Sequence, residues 1–194
     1  PIARNVADVA LMLDAEVGVD PRFPLSLEAP VRSFQEAAHN SATPMRVGFS
    51  PDLGIGPVDP EVAEICRNAA ARFADAGGAV EDASPDFSGA LETFQTLRAS
   101  AFVVNRAPLL EKHRDKMKPE MIWNIEKGMT QSSGDVSIAL RERGALYQRV
   151  AEWFAHYDVL ACPAAIVPPF DVDMRYLERV GDHEFENYVD WLYI

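Results

Sequence analysis

Cysteine, basic charge and long apolar runs are all scarce in this chain of 194 residues, and each shortage excludes a class of function. Its two cysteines, Cys66 and Cys162, are far apart and lack CxxC or Cys/His metal spacing, so reduced thiols in a cytoplasm are expected. Eighteen Lys plus Arg stand against 30 Asp plus Glu, and the net charge of −12 repels phosphate backbones and anionic lipid surfaces. Neither nucleic acid nor a membrane is therefore an expected partner. No apolar run reaches the roughly 18 residues of a membrane span, and no basic segment leads into an apolar one at the start. An initiator Met is lacking as well. The chain opens at Pro1 directly into an amphipathic pattern and reads as a piece of something longer.

The composition that is present, 48% hydrophobic and 25% charged, is that of a folding chain rather than a disordered one. A chain of this length buries about 70% of the surface its unfolded form exposes, and one domain is the expectation. Ile2, Val6, Val9, Ala10 and Leu13 recur at helical spacing, predicting a helix that ends near Gly18. Prolines between Asp20 and Pro30 stop it. Met45 to Ser50 reads as a short strand, Asp59-Pro60 as a helix start, Gly77-Gly78 as that helix's end, and Ala79 to Glu81 as a second strand. A strand, helix and strand in that order favour parallel pairing through a right-handed crossover.

From Phe87 to Tyr157 the chain reads as helical, with breaks near Pro108, Pro119 and Ser132 to Asp135. Ile138, Leu146, Val150, Trp153 and Phe154 supply its expected buried positions. Asp158 to Cys162 is a continuous apolar run, the pattern of a strand covered on both faces. The fold class is α/β: a mixed, mostly parallel sheet covered by helices, incomplete in this chain.

The opening residues Pro1 to Asp14, with Gly18 and Asp20-Pro21, resemble a stretch of the amidase-signature family. Three further blocks agree in order: Met45 to Gly48 with the helix after Asp59-Pro60; Asp158 to Ala164 with Pro168-Pro169-Phe170; and Asn187 to Trp191. The resemblance implies the C-terminal part of such a domain over residues 1–194, with a helical insert at about 87–157. It also implies hydrolysis of amides by a Ser, cis-Ser, Lys triad, because a hydroxyl attacks only once a neighbour takes its proton. The triad and the oxyanion donors would precede Pro1, so no catalytic residue is assigned to this chain, and no cofactor or metal. The implied partners are the remainder of the amidase polypeptide and a small-molecule amide, with a homodimer as a further possibility. A stand-alone, non-catalytic binding or subunit-like module built on the same fold is the alternative.

Several residues invite sharper readings. Ser132-Ser133, with Lys112, Lys116, Lys118 and Lys127 upstream, lacks the Gly-Gly-Ser context of the family's serines and is expected to be a turn and N-cap. Asp171, Asp173, His183, Glu184 and Glu186 match no calcium or zinc spacing and read as a solvated acidic loop. Cys162 reads as a small hydrophobe. In the family's fold, however, the turn after its strand borders the substrate channel, which makes Cys162, Pro163 and Ala164 candidates to line the pocket. Trp123 is the other substrate-binding candidate, with core packing as its competing role. Trp123 and Cys162 are expected in one concave surface. The segment from Phe185 to Ile194 is expected to expose an apolar patch through Tyr188, Trp191, Leu192 and Ile194.

Overall fold

Capping residues set most of the helix starts in this chain. The structure, a computed structural model, describes residues 1–40, 42 and 45–192, and it divides into two compact units, Pro1–Thr43 and Pro44–Ile194. In the first unit, Asn5 caps helix α1 (Val6–Glu16) by accepting from the Asp8 N–H at 2.9 Å. A short second helix, α2 (Phe34–His39), starts at Ser33. The Asp14 carboxylate of α1 accepts from its Phe34 and Gln35 N–H groups at 2.6 and 3.1 Å. The predicted apolar stripe of α1 is only partly buried. Ala10 is covered and Val9 and Leu13 half so, whereas Ile2 and Val6 stand 95% and 72% exposed, because among the described residues of this unit the short α2 is the one helix that packs on α1.

The second unit begins with strand β1 (Arg46–Phe49), followed by helix α3 (Pro60–Asp75) and strand β2 (Ala79–Asp82). Asp59 caps α3 by accepting from the Glu61 N–H at 2.9 Å, and Pro60 takes the first helical position. Gly77, at φ 93°, supplies the left-handed turn that ends it. Helices α4 (Ala90–His113), α5 (Pro119–Met129) and α6 (Ser133–Phe154) follow, with a 3₁₀ turn at Arg114–Lys116. Strand β3 (Val159–Ala161) returns to the sheet. The sheet order is β2-β1-β3, all parallel, with Arg46 opposite Ala79 and Val47 opposite Val159.

Alternation along β1 sends Val47 and Phe49 to one face and Gly48 to the other. Arg67 of α3 lies 4.8 Å over the Phe49 ring, while Trp153 of α6 meets Gly48, so helices cover both faces of the central strand. This strand, buried from Val47 to Phe49, is the one covered on both faces. The Asp158 to Cys162 run is not. Its residues Val159 to Ala161 are only half-buried, because β3 is an edge of this sheet. Pro108 lies inside α4 without ending it, since α4 packs along both α5 and α6 and that burial outweighs one lost backbone hydrogen bond, a loss of roughly 3 kcal/mol. On α6, Ile138 and Phe154 are 52% and 44% exposed rather than buried.

The C-terminal stretch adds a hairpin that sequence reading did not assign, β4 (Arg179–Val180) against β5 (His183–Glu184), turned by Gly181 at φ 56°. Ile166, Leu177, Val180 and Phe185 form a small core beneath it, with Val58, Val167 and Trp191 packed alongside. The expected apolar patch at the end is thus mostly covered. Phe185 and Val189 are buried and Tyr188, Trp191 and Leu192 half-buried, while Ile194 lies outside the described residues.

Candidate substrate cleft

Three parallel strands place their following loops at one edge of the sheet, the usual ligand side of such folds. Ser50 after β1 and Cys162 after β3 both sit there, and the Ser50 N–H donates to the Ala161 carbonyl at 3.0 Å. Pro163 is fully buried, whereas Cys162 and Ala164 are exposed. Partial desolvation, and after it the neighbouring Cys66, pushes the Cys162 thiol above its ordinary pKa, which disfavours the thiolate a nucleophile needs. No ligand-like arrangement surrounds the acidic residues of the C-terminal stretch: among the described residues, no group of three or more His, Cys, Asp or Glu could hold a metal ion.

Trp123 belongs to a different place. It lies half-buried on α5 with the Lys127 ammonium 5.0 Å over its ring. It lines a cavity of about 320 Å³ together with Pro119, Arg175, Tyr176 and Asn187. A cavity of about 370 Å³ adjoins it, bounded by Arg98 and Phe102 of α4 and by Lys118, Met121 and Asn124 of the α5 segment. The two cavities share Glu120, Arg175, Tyr176 and Tyr188, so they form one cleft between α4, α5 and the C-terminal stretch. Cys162, Pro163 and Ala164 line neither of them.

Polar contacts hold the cleft's walls in place. Arg175 donates from Nε and Nη2 to the two Glu120 oxygens at 2.6 and 2.8 Å, a two-pronged pair whose carboxylate side chain is 16% exposed. Lys127 donates to Gln95 Oε1 at 2.5 Å, and Gln95 donates to the Asp190 carboxylate, joining α5, α4 and the C-terminal stretch. Asp190 also accepts from the Asn187 side-chain amide at 2.8 Å. Arg98 donates to the Tyr188 hydroxyl at 3.2 Å and stacks over Phe102 at 4.5 Å.

Sequence reading named Trp123 but missed Arg98, Asn124 and Arg175. A signal for Asn124 was present. Met121, Ile125 and Gly128 mark the inward face of α5, and position 124 falls on the same face, so a polar side chain stands where an apolar one is the rule. Arg98 and Arg175 had no comparable mark, because their meeting depends on how the C-terminal stretch folds back.

Ser132-Ser133 is a cap, as its context suggested. The Asp135 N–H donates to Ser132 Oγ at 3.2 Å, while Ser132 N–H and Oγ each donate to the Asp135 carboxylate at 2.8 Å. The Ser132 hydroxyl is therefore committed to the start of α6.

Comparison with known proteins agrees with this architecture. The profile of the amidase family matches residues 1–194. The chain is 32% identical over 198 residues to an acylamidase of Rhodococcus erythropolis, covering all of this chain and 41% of that protein. It is 28% identical over 170 residues to an amidase of Pseudomonas putida, covering 87% of this chain and 36% of the relative. Among solved structures, a bacterial aryl acylamidase of the amidase-signature family superposes with a TM-score of 0.84 at 20% identity, over 98% of this chain and 42% of that one. A 6-aminohexanoate cyclic dimer hydrolase gives a TM-score of 0.68 at 22% identity, over 80% and 34%. The chain thus spans about two fifths of the length of these relatives, and it belongs to the amidase family.

Proposed function

We propose that this chain is the C-terminal part of an amide hydrolase, supplying scaffold and part of the substrate pocket, with the nucleophile and base in polypeptide preceding Pro1. The observation that carries this reading is the family match along all 194 residues to proteins more than twice as long, combined with a sequence that lacks the family's Gly/Ser-rich catalytic segment. Serine hydrolysis of an amide needs a nucleophile, its base and oxyanion donors within hydrogen-bond reach of one another. The Ser132 hydroxyl is spent on a helix cap, which takes one member of the tempting Ser132-Ser133 pair out of that role.

The partners that fit are the rest of the amidase polypeptide and a small-molecule amide. Apolar side chains left uncovered support the first. Val6, Leu11 and Met12 in the first unit, and Ile65, Val104 and Ile138 in the second, stand 40% to 77% exposed, apolar surface that further polypeptide would cover. Trp123, and separately Cys162 and Ala164, are proposed to border the substrate, the first from the insert and the others from the strand end, with the buried Pro163 fixing the turn between them. Two free cysteines fit a reducing, cytoplasmic setting. No helix among the described residues is long and apolar enough to cross a membrane.

The test is to assay the purified 194-residue chain against aryl amides, amino-acid amides and glutamine. No turnover above the buffer rate is expected. Turnover that persists through purification and disappears in Ser133→Ala would place the catalytic serine here and overturn the reading.

A further inference from the structure

We propose that the cleft between α4, α5 and the C-terminal stretch is a binding site for a small carboxylate with an apolar, ring-sized body. The inference concerns binding alone and does not rest on the hydrolytic reading.

Two donors without partners carry it. Asn124 is only 2% exposed, and its Nδ2 has no hydrogen-bond partner among the described residues. Nη1 of Arg98 is buried and equally unpartnered. Both side chains line the same cavity of about 370 Å³. A buried donor left unsatisfied costs about 1–3 kcal/mol, and more when charged, so two of them on side chains that line one cavity favour a ligand whose acceptor oxygens draw them towards it.

The charges around them select the sign of that ligand. Arg98, Lys118 and Arg175 line this cavity against one carboxylate, Glu120, which Arg175 engages through both oxygens, while the adjoining cavity of the cleft adds Glu186. Arg98 is held by the Tyr188 hydroxyl and the Phe102 ring rather than by an acid. Lys118 makes no ion pair among the described residues. Two cationic groups are thus uncompensated within a chain of net charge −12, and an anion is the favoured occupant. A guanidinium edge beside an amide N–H suits the two oxygens of a carboxylate. Phe102, Met121, Tyr176 and Tyr188 make the remaining walls apolar or aromatic, and the volume is at the small-ligand end of the range for such sites.

The test is calorimetric titration of the protein containing these residues with phenylacetate, and with phenethyl alcohol as the uncharged partner of the same shape. Saturable phenylacetate binding is expected, at least about tenfold tighter than the alcohol. Arg98→Met and Asn124→Leu should each weaken it about tenfold or more, with near-ultraviolet circular dichroism confirming that the core is intact. Should either variant fail to fold, Lys118→Gln at an exposed position carries the test, with about a threefold loss expected that shrinks at high salt. Absence of saturable phenylacetate binding, equal affinity for the alcohol, tighter binding of inorganic phosphate, or affinity unchanged in Lys118→Gln would each overturn the proposal. Because the readout is binding, it is independent of whether any form of the protein turns over an amide.

Discussion

A Cβ placed on Gly48 would lie 2.3 Å from Cζ2 of Trp153, so the indole of α6 rests directly on the backbone of β1. The same Cβ would be 2.8 Å from the Ala83 carbonyl oxygen, which cannot swing aside as a side chain can. Gly48→Ala is therefore expected to destabilise the chain by about 1–3 kcal/mol, the usual range for overpacking. In a Trp153→Leu background the cost should be smaller without vanishing, since the Ala83 contact persists. Urea denaturation of the four proteins of this cycle measures both terms.

The start of α6 offers a pH-dependent test. Backbone and side-chain hydrogen bonds from Ser132 hold the Asp135 carboxyl below its ordinary pKa of about 4. A depressed folded-state pKa contributes stability that is present above the unfolded value and lost as pH falls through the folded one. Asp135→Asn should therefore lower the melting temperature at neutral pH, and the gap to the parent should close progressively below about pH 4. Ser132→Ala should cost about 1 kcal/mol, as cap removal generally does. A gap that widens on acidification would contradict the assignment.

These caps were legible in the sequence because they are local. Ser132 with an acid three residues on, Asp59-Pro60 and Gly77-Gly78 each specify a helix end through neighbouring residues alone. The three parallel strands were legible for a related reason, since short apolar runs alternated with a helix. What the sequence concealed depends on which surfaces meet. Pro108 signalled a break that packing of α4 overrode, and the apolar run at Val159 to Ala161 signalled burial that an edge strand lacks. The Gly181-Asp182 pair was a visible hairpin signal of two residues, overlooked because its strands are only two residues each. The cleft was the least legible part. Arg98 and Tyr188 are 90 residues apart and meet only through the returning C-terminal stretch.

Asp158 provides a test of how that long-range order is held. Its carboxylate accepts from the Met45 and Arg46 N–H groups at 2.8 and 2.9 Å, and its own N–H donates to the Arg46 carbonyl at 2.9 Å. The side chain thus satisfies the entry to β1 from the entry to β3. Asp158→Ala should cost about 1–2 kcal/mol by leaving two amides to solvent, whereas Asp158→Asn keeps an acceptor oxygen and should cost less. Hydrogen exchange at Arg46 should accelerate in the alanine variant first.

Two glycines on neighbouring helices should respond in opposite directions to the same substitution, and the difference ties packing to the cleft. Replacing a helical glycine by alanine generally stabilises by up to about 1 kcal/mol, because alanine has less backbone freedom to lose. At Gly144 of α6 nothing lies within 4 Å of the added methyl, so that gain should be realised in full. At Gly128 of α5 the methyl would lie 2.3 Å from the Ala99 carbonyl oxygen and 2.6 Å from Val103 Cγ2. That clash, of the order of 1–3 kcal/mol for overpacking, exceeds the propensity gain. Gly128→Ala should therefore melt lower and Gly144→Ala higher than the parent in the same calorimetric scan. The clash can be relieved only by moving α5 away from α4, the helices that carry Asn124 and Arg98. Phenylacetate affinity should consequently fall in Gly128→Ala and stay unchanged in Gly144→Ala. Parallel changes in stability and binding at position 128, with neither loss at 144, are the expected outcome. A Gly128→Ala protein that keeps the parent's affinity would show that the spacing of α4 and α5 does not set the geometry of the cleft.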